Sequence, residues 1–235
     1  MIQLVPAPAT LPQGLRIYAV GDVHGCAARL AQLHWLIRKD LKQRPVTAAR
    51  IIHLGDLIDR GQNSAGVLDL VIGFSPPPGL EIITLRGNHE QMALDAFAGG
   101  NIGLWLDNGA EATLMSWGIP RRAPPPLWVK YIPPAHLAFL SRLPFSASAG
   151  GYFFVHAGVR PGVPLAAQSP EDMLWIREPF LSATENFGQV VVHGHTPVHS
   201  PDVRKNRIDI DTGAVFGGLL TAAVLEENRI GFLSV

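Results

Sequence analysis

The hydrophobic positions of this chain fall into short runs that stop abruptly at clusters of glycine and polar residues. A run of roughly four to eight residues, rich in β-branched or aromatic side chains and bounded by turn residues, is typical of a buried strand. Eight runs fit this description. Each of the first five is followed directly by an Asp, Asn or His residue. The predicted strands are 16–21, 50–55, 81–87, 152–155, 189–192, 207–211, 220–225 and 229–235.

Helical patterns separate the early strands. Residues 26–41 place four apolar side chains on one helix face. Ser64 is a candidate N-cap for a second helix that ends near Ser75, and the residues Glu90–Phe97 predict a third, stopped by two glycines. The order β-α-β-α-β-α predicts an α/β fold with parallel pairing in the first half. The second half is richer in strands and predicts a mixed sheet or a second sheet.

No domain boundary is evident, so one domain spanning 1–235 is expected. Within it, the segment 121–134 (RRAPPPLWVKYIPP) is rich in proline and predicts a surface excursion. This excursion is either a substrate-facing flap or a plain connector.

Composition narrows the class of protein. With 19 basic and 19 acidic residues the net charge is zero, which argues against a nucleic-acid partner. Cys26 is the only cysteine, so neither an intrachain disulfide nor a thiolate metal site is expected. The first residues lack the pattern of a signal peptide, and no window approaches the ~18 apolar residues of a membrane span. These features predict a cytoplasmic protein without a membrane partner.

The polar clusters carry the candidate chemistry. They are GDVHG (21–25), GDLIDRG (55–61), RGNHE (86–90), HAG (156–158) and VVHGHTP (191–197). In open α/β sheets ligands gather at the carboxyl ends of the strands, so these clusters are expected to converge. Carboxylate, imidazole and amide donors without sulfur suit Mn²⁺, Fe or Zn²⁺. They outnumber the donors of one catalytic metal, which predicts two ions about 3.5–4 Å apart that share a carboxylate.

Two histidines in the last cluster, His193 and His195, are separated by one glycine. Side chains at i and i+2 of an extended chain face the same way. The spacing alone therefore allows both rings, or either one, to bind a metal.

These motifs, in this order, resemble the phosphoprotein phosphatase family of calcineurin-like metallophosphoesterases, and in particular its small bacterial and phage lambda-type serine/threonine phosphatases. WLDNGAEATL (105–114), LWIRE (174–178) and IDTGAVFGG (210–218) are also similar, so the resemblance runs from about Arg16 to the C-terminus. It implies a central two-sheet β-sandwich flanked by helices, with a dinuclear metal site at the carboxyl ends of the strands.

The resemblance also implies a role for each motif residue. His89 matches the residue that protonates the leaving oxygen, and Asp59 matches its carboxylate partner. Arg60 and Arg177 match the arginines that hold the phosphate. The cofactors are expected to be two divalent ions, Mn²⁺ by resemblance, with Fe or Zn as alternatives. The implied ligands are Asp22 and His24 for the first ion, the bridging Asp56, and Asn88, His156 and His195 for the second.

Within VVHGHTP the family pattern places the ligand directly after the glycine, which selects His195. His193 departs from the pattern, and we expect it either behind the ligands or at the rim of the pocket. Pro197 stands where distant relatives carry a further histidine ligand. The first ion is therefore expected to have three protein ligands, counting the bridge.

Other polar residues have structural interpretations. Arg86 is expected to form an ion pair, and Glu90 to cap the helix that it begins. Asp211 and Thr212 are expected to brace the site by hydrogen bonds. Cys26 is expected to be a small buried residue. Packing or surface roles are expected for the remaining histidines, which are His34, His53, His136 and His199.

The predicted function is that of a metal-dependent phosphomonoesterase acting on phosphoserine or phosphothreonine proteins, with phosphotyrosine left open. The resemblance implies direct in-line attack of a metal-bound hydroxide on phosphorus, with histidine as general acid. Phosphorylated peptides and small phosphomonoesters are the expected substrates.

Two other functions are alternatives to a phosphoprotein phosphatase. One is a symmetrical dinucleoside tetraphosphate hydrolase, a relative that typically has Ala in place of Asp59 and Asp in place of Glu90. The other is a non-catalytic scaffold, which would lack a ligand or the acid, and none is missing here.

Overall fold

Two β-sheets form the centre of the fold in the computed structural model, which describes residues 2–235. The strands of the first sheet, in spatial order, are β1 (Val5–Pro6), β11 (Arg229–Ser234), β10 (Thr221–Glu226), β2 (Leu15–Val20), β3 (Ala48–His53) and β4 (Leu80–Thr84). Those of the second are β5 (Ser146–Ala149), β6 (Tyr152–Val155), β7 (Val190–His193), β9 (Arg207–Asp209) and β8 (Asp202–Val203).

Parallel pairing lies at the middle of both sheets. In the first sheet β2, β3 and β4 run parallel, with Val20 level with His53 and His53 level with Thr84. In the second, β6, β7 and β9 run parallel. The predicted parallel half and second sheet are therefore confirmed, and the loops that follow these strands leave each sheet at one edge.

The pleat of β2 shows how the core is divided. Successive side chains of a strand point to opposite faces. Ile17 and Ala19 lie in the apolar cluster between the sheets, together with Phe154 of the second sheet. Tyr18 and Val20 lie in the cluster beneath the helices. A strand buried on both faces explains why its sequence reads as a continuous apolar run.

Within residues 2–235, seven α-helices flank the sheets, and the sequence pattern predicts the first three. The bounds of α2 required one correction: Asn63, rather than Ser64, is the N-cap, since its Oδ1 accepts from the Gly66 N–H at 2.9 Å. The last four helices were not predicted. The helices are α1 (Ala27–Gln43), α2 (Ser64–Ile72), α3 (Asn88–Phe97), α4 (Ile102–Asp107), α5 (Ala110–Ser116), α6 (Pro134–Arg142) and α7 (Pro170–Trp175).

The proline-rich segment 121–134 is only partly a surface excursion. It contains a short 3₁₀-helix, Pro125–Lys130, and most of its side chains are exposed. Trp128 and Ile132 are instead buried in the core beneath the helices. These two anchors fix the segment to the body of the fold. No helix within residues 2–235 is long and apolar enough to cross a membrane.

Phe154 tests the inter-sheet core, because its side chain is completely buried between the sheets. We expect Phe154→Ala to lower the free energy of unfolding by about 3–5 kcal/mol, through lost burial and the cavity left behind. Phe216→Ala is the matched control, since that ring is 64% exposed, and should cost less than about 1 kcal/mol. Urea denaturation of both variants measures the difference, and equal losses would contradict this division of the core.

Candidate metal centre

Five loops bring the six predicted metal ligands together at the carboxyl ends of the parallel strands. The loops follow β2, β3, β4, β6 and β7. Each ligand side chain is buried, although all six are polar or charged groups that favour water. The six residues are Asp22, His24, Asp56, Asn88, His156 and His195.

The backbone of these loops is strained. Five residues other than glycine have left-handed φ angles, between +42° and +70°. Such a conformation is uncommon for residues with a Cβ and costs on the order of 1 kcal/mol or more each. Outliers of this kind cluster at functional sites, where the surrounding structure holds them in place. The five are His24, Asp56, Asp59, Arg60 and His195.

Glu90 holds the second of these loops. Its carboxylate accepts the N–H groups of Asp56 at 2.8 Å, Leu57 at 2.7 Å and Ile58 at 3.3 Å. It also accepts the Gly87 N–H at 2.8 Å, which caps α3 as predicted. Burial, followed by the neighbouring Asp56, raises the pKa of Glu90 to about 7. Glu90 therefore fixes the loop that carries Asp56 as well as capping its own helix.

The first group of donor atoms comes from His24, Asp56 and His89, whose candidate ligand atoms all lie within 4.8 Å of one another. His24 Nδ1 donates to the carbonyl of Ile58 at 2.8 Å. That bond fixes the tautomer and leaves the Nε2 lone pair free for a cation. The cationic Arg60 Nη1 lies 2.6 Å from this Nε2, and Asp56 Oδ2 lies 3.3 Å from it.

The second group comes from Asp56, His156 and His195, again within 4.8 Å. His156 Nδ1 donates to the Leu54 carbonyl at 3.1 Å, so its Nε2 is free to bind. Asn88 Oδ1 joins this group, at 2.8 Å from His156 Nε2 and 3.1 Å from His195 Nδ1. Nitrogen and oxygen donors of this kind suit a divalent transition metal.

Asp56 belongs to both groups, and its charge environment fits cations. The pKa of His195 is lowered to about 2, chiefly by burial and further by the adjacent His156 and by the charge of Arg177. The ring is therefore neutral and can bind a metal. Burial, then Asp211 and Asp56, raise the pKa of Asp22 well above its usual range. Buried carboxylates that repel one another are stabilised by a cation, and the donors present therefore fit two divalent ions that share Asp56.

Asp22 lies in neither group of three, whereas Asn88, which is also outside them, contacts His156 and His195 of the second group. Its carboxylate accepts the His195 N–H, at 3.1 Å from Oδ2 and 3.3 Å from Oδ1. Gly194 has to be glycine here, because a Cβ at that position would collide with Asp22 Oδ1. The predicted ligands of the first ion are Asp22, His24 and Asp56, whereas the first group of donor atoms contains His89 in place of Asp22.

His89 and Asp59 form the predicted pair. His89 Nδ1 lies 2.7 Å from Asp59 Oδ2. Its Nε2 is buried and has no hydrogen-bond partner among the described residues. This nitrogen is 3.8 Å from Asp56 Oδ2, so it faces the centre of the site.

Two partners of Asp59 were missed from the sequence. Trp105 Nε1 donates to Asp59 Oδ2 at 2.8 Å, and Thr113 Oγ1 donates to Asp59 Oδ1 at 2.7 Å. Both residues lie in the WLDNGAEATL stretch that resembles the family, at a spacing of four on either side of Gly109. Their place in that stretch was the available signal, because the two residues lie on separate helices, Ile102–Asp107 and Ala110–Ser116, and share no helix face.

The two predicted phosphate-binding arginines border the site and are exposed. Arg60 follows Asp59 directly, and its guanidinium carbon lies 5.5 Å from the centre of the Phe216 ring. Arg177 follows α7, and its charge reaches His195. Exposed guanidinium groups beside the donor atoms have the chemistry to receive an anionic ligand, and Arg60 also contacts His24 Nε2 through its Nη1 at 2.6 Å.

His193 does not line the pocket. Its side chain is fully buried, with its ring edge-to-face against Phe180 at 4.9 Å. Its Nε2 lies 3.3 Å from Arg207 Nη1. The pocket-rim placement is therefore wrong, and His193 lies behind the ligand loop.

The interpretations of the other polar residues mostly hold. The exception is Arg86, which forms no ion pair within residues 2–235 but donates to Gln91 Oε1 and the Ser141 carbonyl, both at 2.9 Å. Asp211 Oδ1 accepts the Gly213 N–H and Thr212 Oγ1 donates to the Leu219 carbonyl, so they brace the loop beside Asp22.

The remaining residues with structural interpretations pack inside the fold or lie at its surface. Cys26 is half-buried. His34, His53 and His136 are buried in hydrogen bonds away from the site, and His199 is exposed.

Two packed sheets with buried His and Asp donors at the strand ends are the architecture that the motifs predict for a metallophosphoesterase. The sequence profile of the family described as calcineurin-like phosphoesterase matches residues 15–232, and the chain belongs to this family. The fold expected from the motifs is thereby confirmed, and the His/Asp clusters are compatible with a metal site.

Relatives within the family differ in their substrates. The chain is 32% identical to serine/threonine-protein phosphatase 1 of Salmonella typhimurium, over 89% of this chain and 92% of the relative. It is 26% identical to an asymmetrical bis(5'-nucleosyl)-tetraphosphatase of Anoxybacillus flavithermus, over 86% and 87%. The crystal structure of a cold-active protein-tyrosine phosphatase of a psychrophilic Shewanella shares the fold, with a TM-score of 0.63, 17% identity, and 95% and 80% coverage.

The two neighbouring histidines give a test of the donor set. We expect His195→Ala to lose metal, because it removes one of the three donors in the second group. His193→Ala, two residues away and outside both groups, should retain the wild-type metal content. Metal analysis of both variants after reconstitution with Mn²⁺ measures this, and metal loss in His193→Ala alone would contradict it.

Proposed function

We propose that the protein is a metal-dependent phosphomonoesterase that removes phosphate from serine and threonine residues of phosphorylated proteins. The observation that carries this proposal is the buried Asp59–His89 pair, whose free Nε2 faces the shared carboxylate Asp56. A serine or threonine alkoxide is a poor leaving group and needs a proton from a positioned acid.

In this proposal Asp22 and His24 bind one ion, Asn88, His156 and His195 bind the other, and Asp56 binds both. Two divalent ions, which we propose to be Mn²⁺, would neutralise charge on the phosphate and make a water molecule more acidic when bound.

Arg60 and Arg177 have the chemistry to bind the phosphate. A planar guanidinium donates two parallel hydrogen bonds to neighbouring oxygens of a phosphate dianion. Both side chains are exposed at the border of the site, so a substrate reaches them from solvent. Holding the phosphate in one orientation places its ester oxygen toward His89.

His89 acts as the general acid in this proposal. Its Nδ1–H is held by the Asp59 carboxylate, and in the protonated ring the Nε2–H is transferred to the departing ester oxygen. Asp59 remains ionised and stabilises the positive ring before the transfer.

A dinucleoside tetraphosphate is the second candidate substrate. The relatives that favour it are asymmetrical hydrolases, whereas the motifs suggested the symmetrical type as the alternative. Asp59 and Glu90, which the symmetrical type typically replaces, are both present here. The phosphatase relative, with the higher identity of 32%, supports the phosphoprotein proposal over this one.

Replacing His89, the proposed acid, tests whether it is needed for turnover without being needed for metal binding. We expect His89→Ala to lower kcat on a phosphoserine peptide by roughly 10²–10⁴, because the leaving alkoxide is no longer protonated. The metal content should stay close to that of the wild type, since the proposed ligands are intact. Steady-state kinetics with metal analysis measures both, and unchanged turnover would exclude His89 as the acid.

A substrate panel tests the proposed specificity. We expect the Mn²⁺-loaded protein to hydrolyse phosphoserine and phosphothreonine peptides with a higher kcat/KM than diadenosine tetraphosphate. Phosphate release is the measurement, a phosphotyrosine peptide extends the panel, and Asp56→Asn is the inactive control. A higher kcat/KM on the dinucleotide would overturn the order of the two candidates, and no hydrolysis of any substrate would refute the function.

A further inference from the structure

The Asp59 carboxylate has an unusually complete set of donors. It is fully buried, and three different side chains donate to its two oxygens. Oδ2 receives His89 Nδ1 at 2.7 Å and Trp105 Nε1 at 2.8 Å, and Oδ1 receives Thr113 Oγ1 at 2.7 Å. A buried carboxylate whose two oxygens both accept hydrogen bonds is held in one orientation.

The hydrogen bonds made by the Ser64 and Thr113 hydroxyl groups around Asp59 have a defined donor and acceptor. The Asp59 backbone N–H donates to Thr113 Oγ1 at 2.8 Å and to Ser64 Oγ at 3.1 Å. Because the single Thr113 hydroxyl proton is used on the ionised Asp59 Oδ1, the 2.8 Å contact between the two hydroxyls is a bond donated by Ser64. Thr113 therefore holds both the backbone and the side chain of Asp59.

Trp105 and Thr113 reach Asp59 from one helical hairpin, α4–α5. At its turn, Gly109 has a left-handed φ of +94°, and its carbonyl accepts the Arg60 N–H at 3.0 Å. A Cβ at Gly109 would lie 2.9 Å from Arg60 Cγ. The hairpin thus contacts Asp59 and Arg60, the two consecutive residues with left-handed backbone.

A second tryptophan in the same region, Trp117, has a packing role and provides a comparison for Trp105. Trp117, at the end of α5, is buried and donates its Nε1–H to His136 Nδ1 at 3.0 Å. His136 in turn contacts the exposed Asp69, away from the donor groups. Burial and a satisfied indole are therefore shared by both tryptophans, and only Trp105 bonds to the partner of the acid.

We propose that Trp105 and Thr113 are positioning residues that hold the Asp59 carboxylate, and through it the His89 ring, in the orientation for proton donation to a leaving alkoxide. This inference rests on the proposed function. The two side-chain donors of the hairpin contact Asp59 and none of the six proposed metal ligands.

The leaving group distinguishes this role from a general structural one. An alkoxide needs the acid, whereas p-nitrophenolate is stable enough to depart with little protonation. We expect Thr113→Val, which keeps the shape and removes the hydroxyl, to lower kcat on a phosphoserine peptide by about 10-fold, a part of what an acid supplies. The KM and metal content should be unchanged, and kcat on p-nitrophenyl phosphate should fall by less than about threefold.

Matched variants complete the kinetic test. Thr113→Ser keeps the hydroxyl and should restore kcat on the peptide. Trp105→Phe should resemble Thr113→Val, while Trp117→Phe, which removes an indole N–H from the same region, should match the wild type. Equal losses on both substrates in Thr113→Val, or wild-type kcat on the peptide, would overturn the proposal. Thr113→Val carries the test if Trp105→Phe fails to fold.

A readout without catalysis separates this inference from the proposed function. In metal-stripped protein, the His89 proton on Nδ1 should give a downfield ¹H NMR resonance that is absent in His89→Ala. We expect it to shift or to broaden by exchange in Thr113→Val and to be unchanged in Trp117→Phe. An unchanged resonance in Thr113→Val would refute the positioning role, whereas a wild type that cleaves neither substrate would refute the function.

Discussion

The structure of this site depends on keeping the Asp56 carboxylate buried and ionised between two groups of imidazole donors. Burial alone raises the pKa of a carboxyl group, but His156, His89 and His24 hold that of Asp56 well below its usual range. Its Oδ1 also accepts the His89 N–H at 3.1 Å, at the start of α3. The helix N-terminus and the imidazoles therefore stabilise one anion on which both proposed ions would converge.

The two sheets position the loops around this carboxylate, because the loops that follow several of their strands leave at one edge. Parallel strands place their carboxyl ends side by side, and the two sheets pack so that the loops of one reach those of the other. The loops are then tied by groups that are not themselves ligands of the proposed ions. Glu90 holds the Asp56 loop through three backbone N–H groups, and the α4–α5 hairpin holds Asp59.

Much of the fold could be predicted from the sequence because its strands are short, apolar and locally marked. The helices α4, α5 and α7 have only six or seven residues, too few for a helical period to stand out. The site residues came from motifs, whereas Trp105 and Thr113 lie 46 and 54 residues from Asp59 and meet it only after folding. The burial of His193 likewise depends on Phe180, which no local pattern connects to it.

The left-handed backbone at five site residues has a consequence for the lifetime of the chain. These conformations lower the stability of the loops, and the cost is borne by the rest of the fold. A ligand that binds only the folded arrangement stabilises it by mass action. The same backbone that presents the donors therefore links metal supply to resistance against proteolysis, so a shortage of metal would reduce the abundance of the protein as well as its activity.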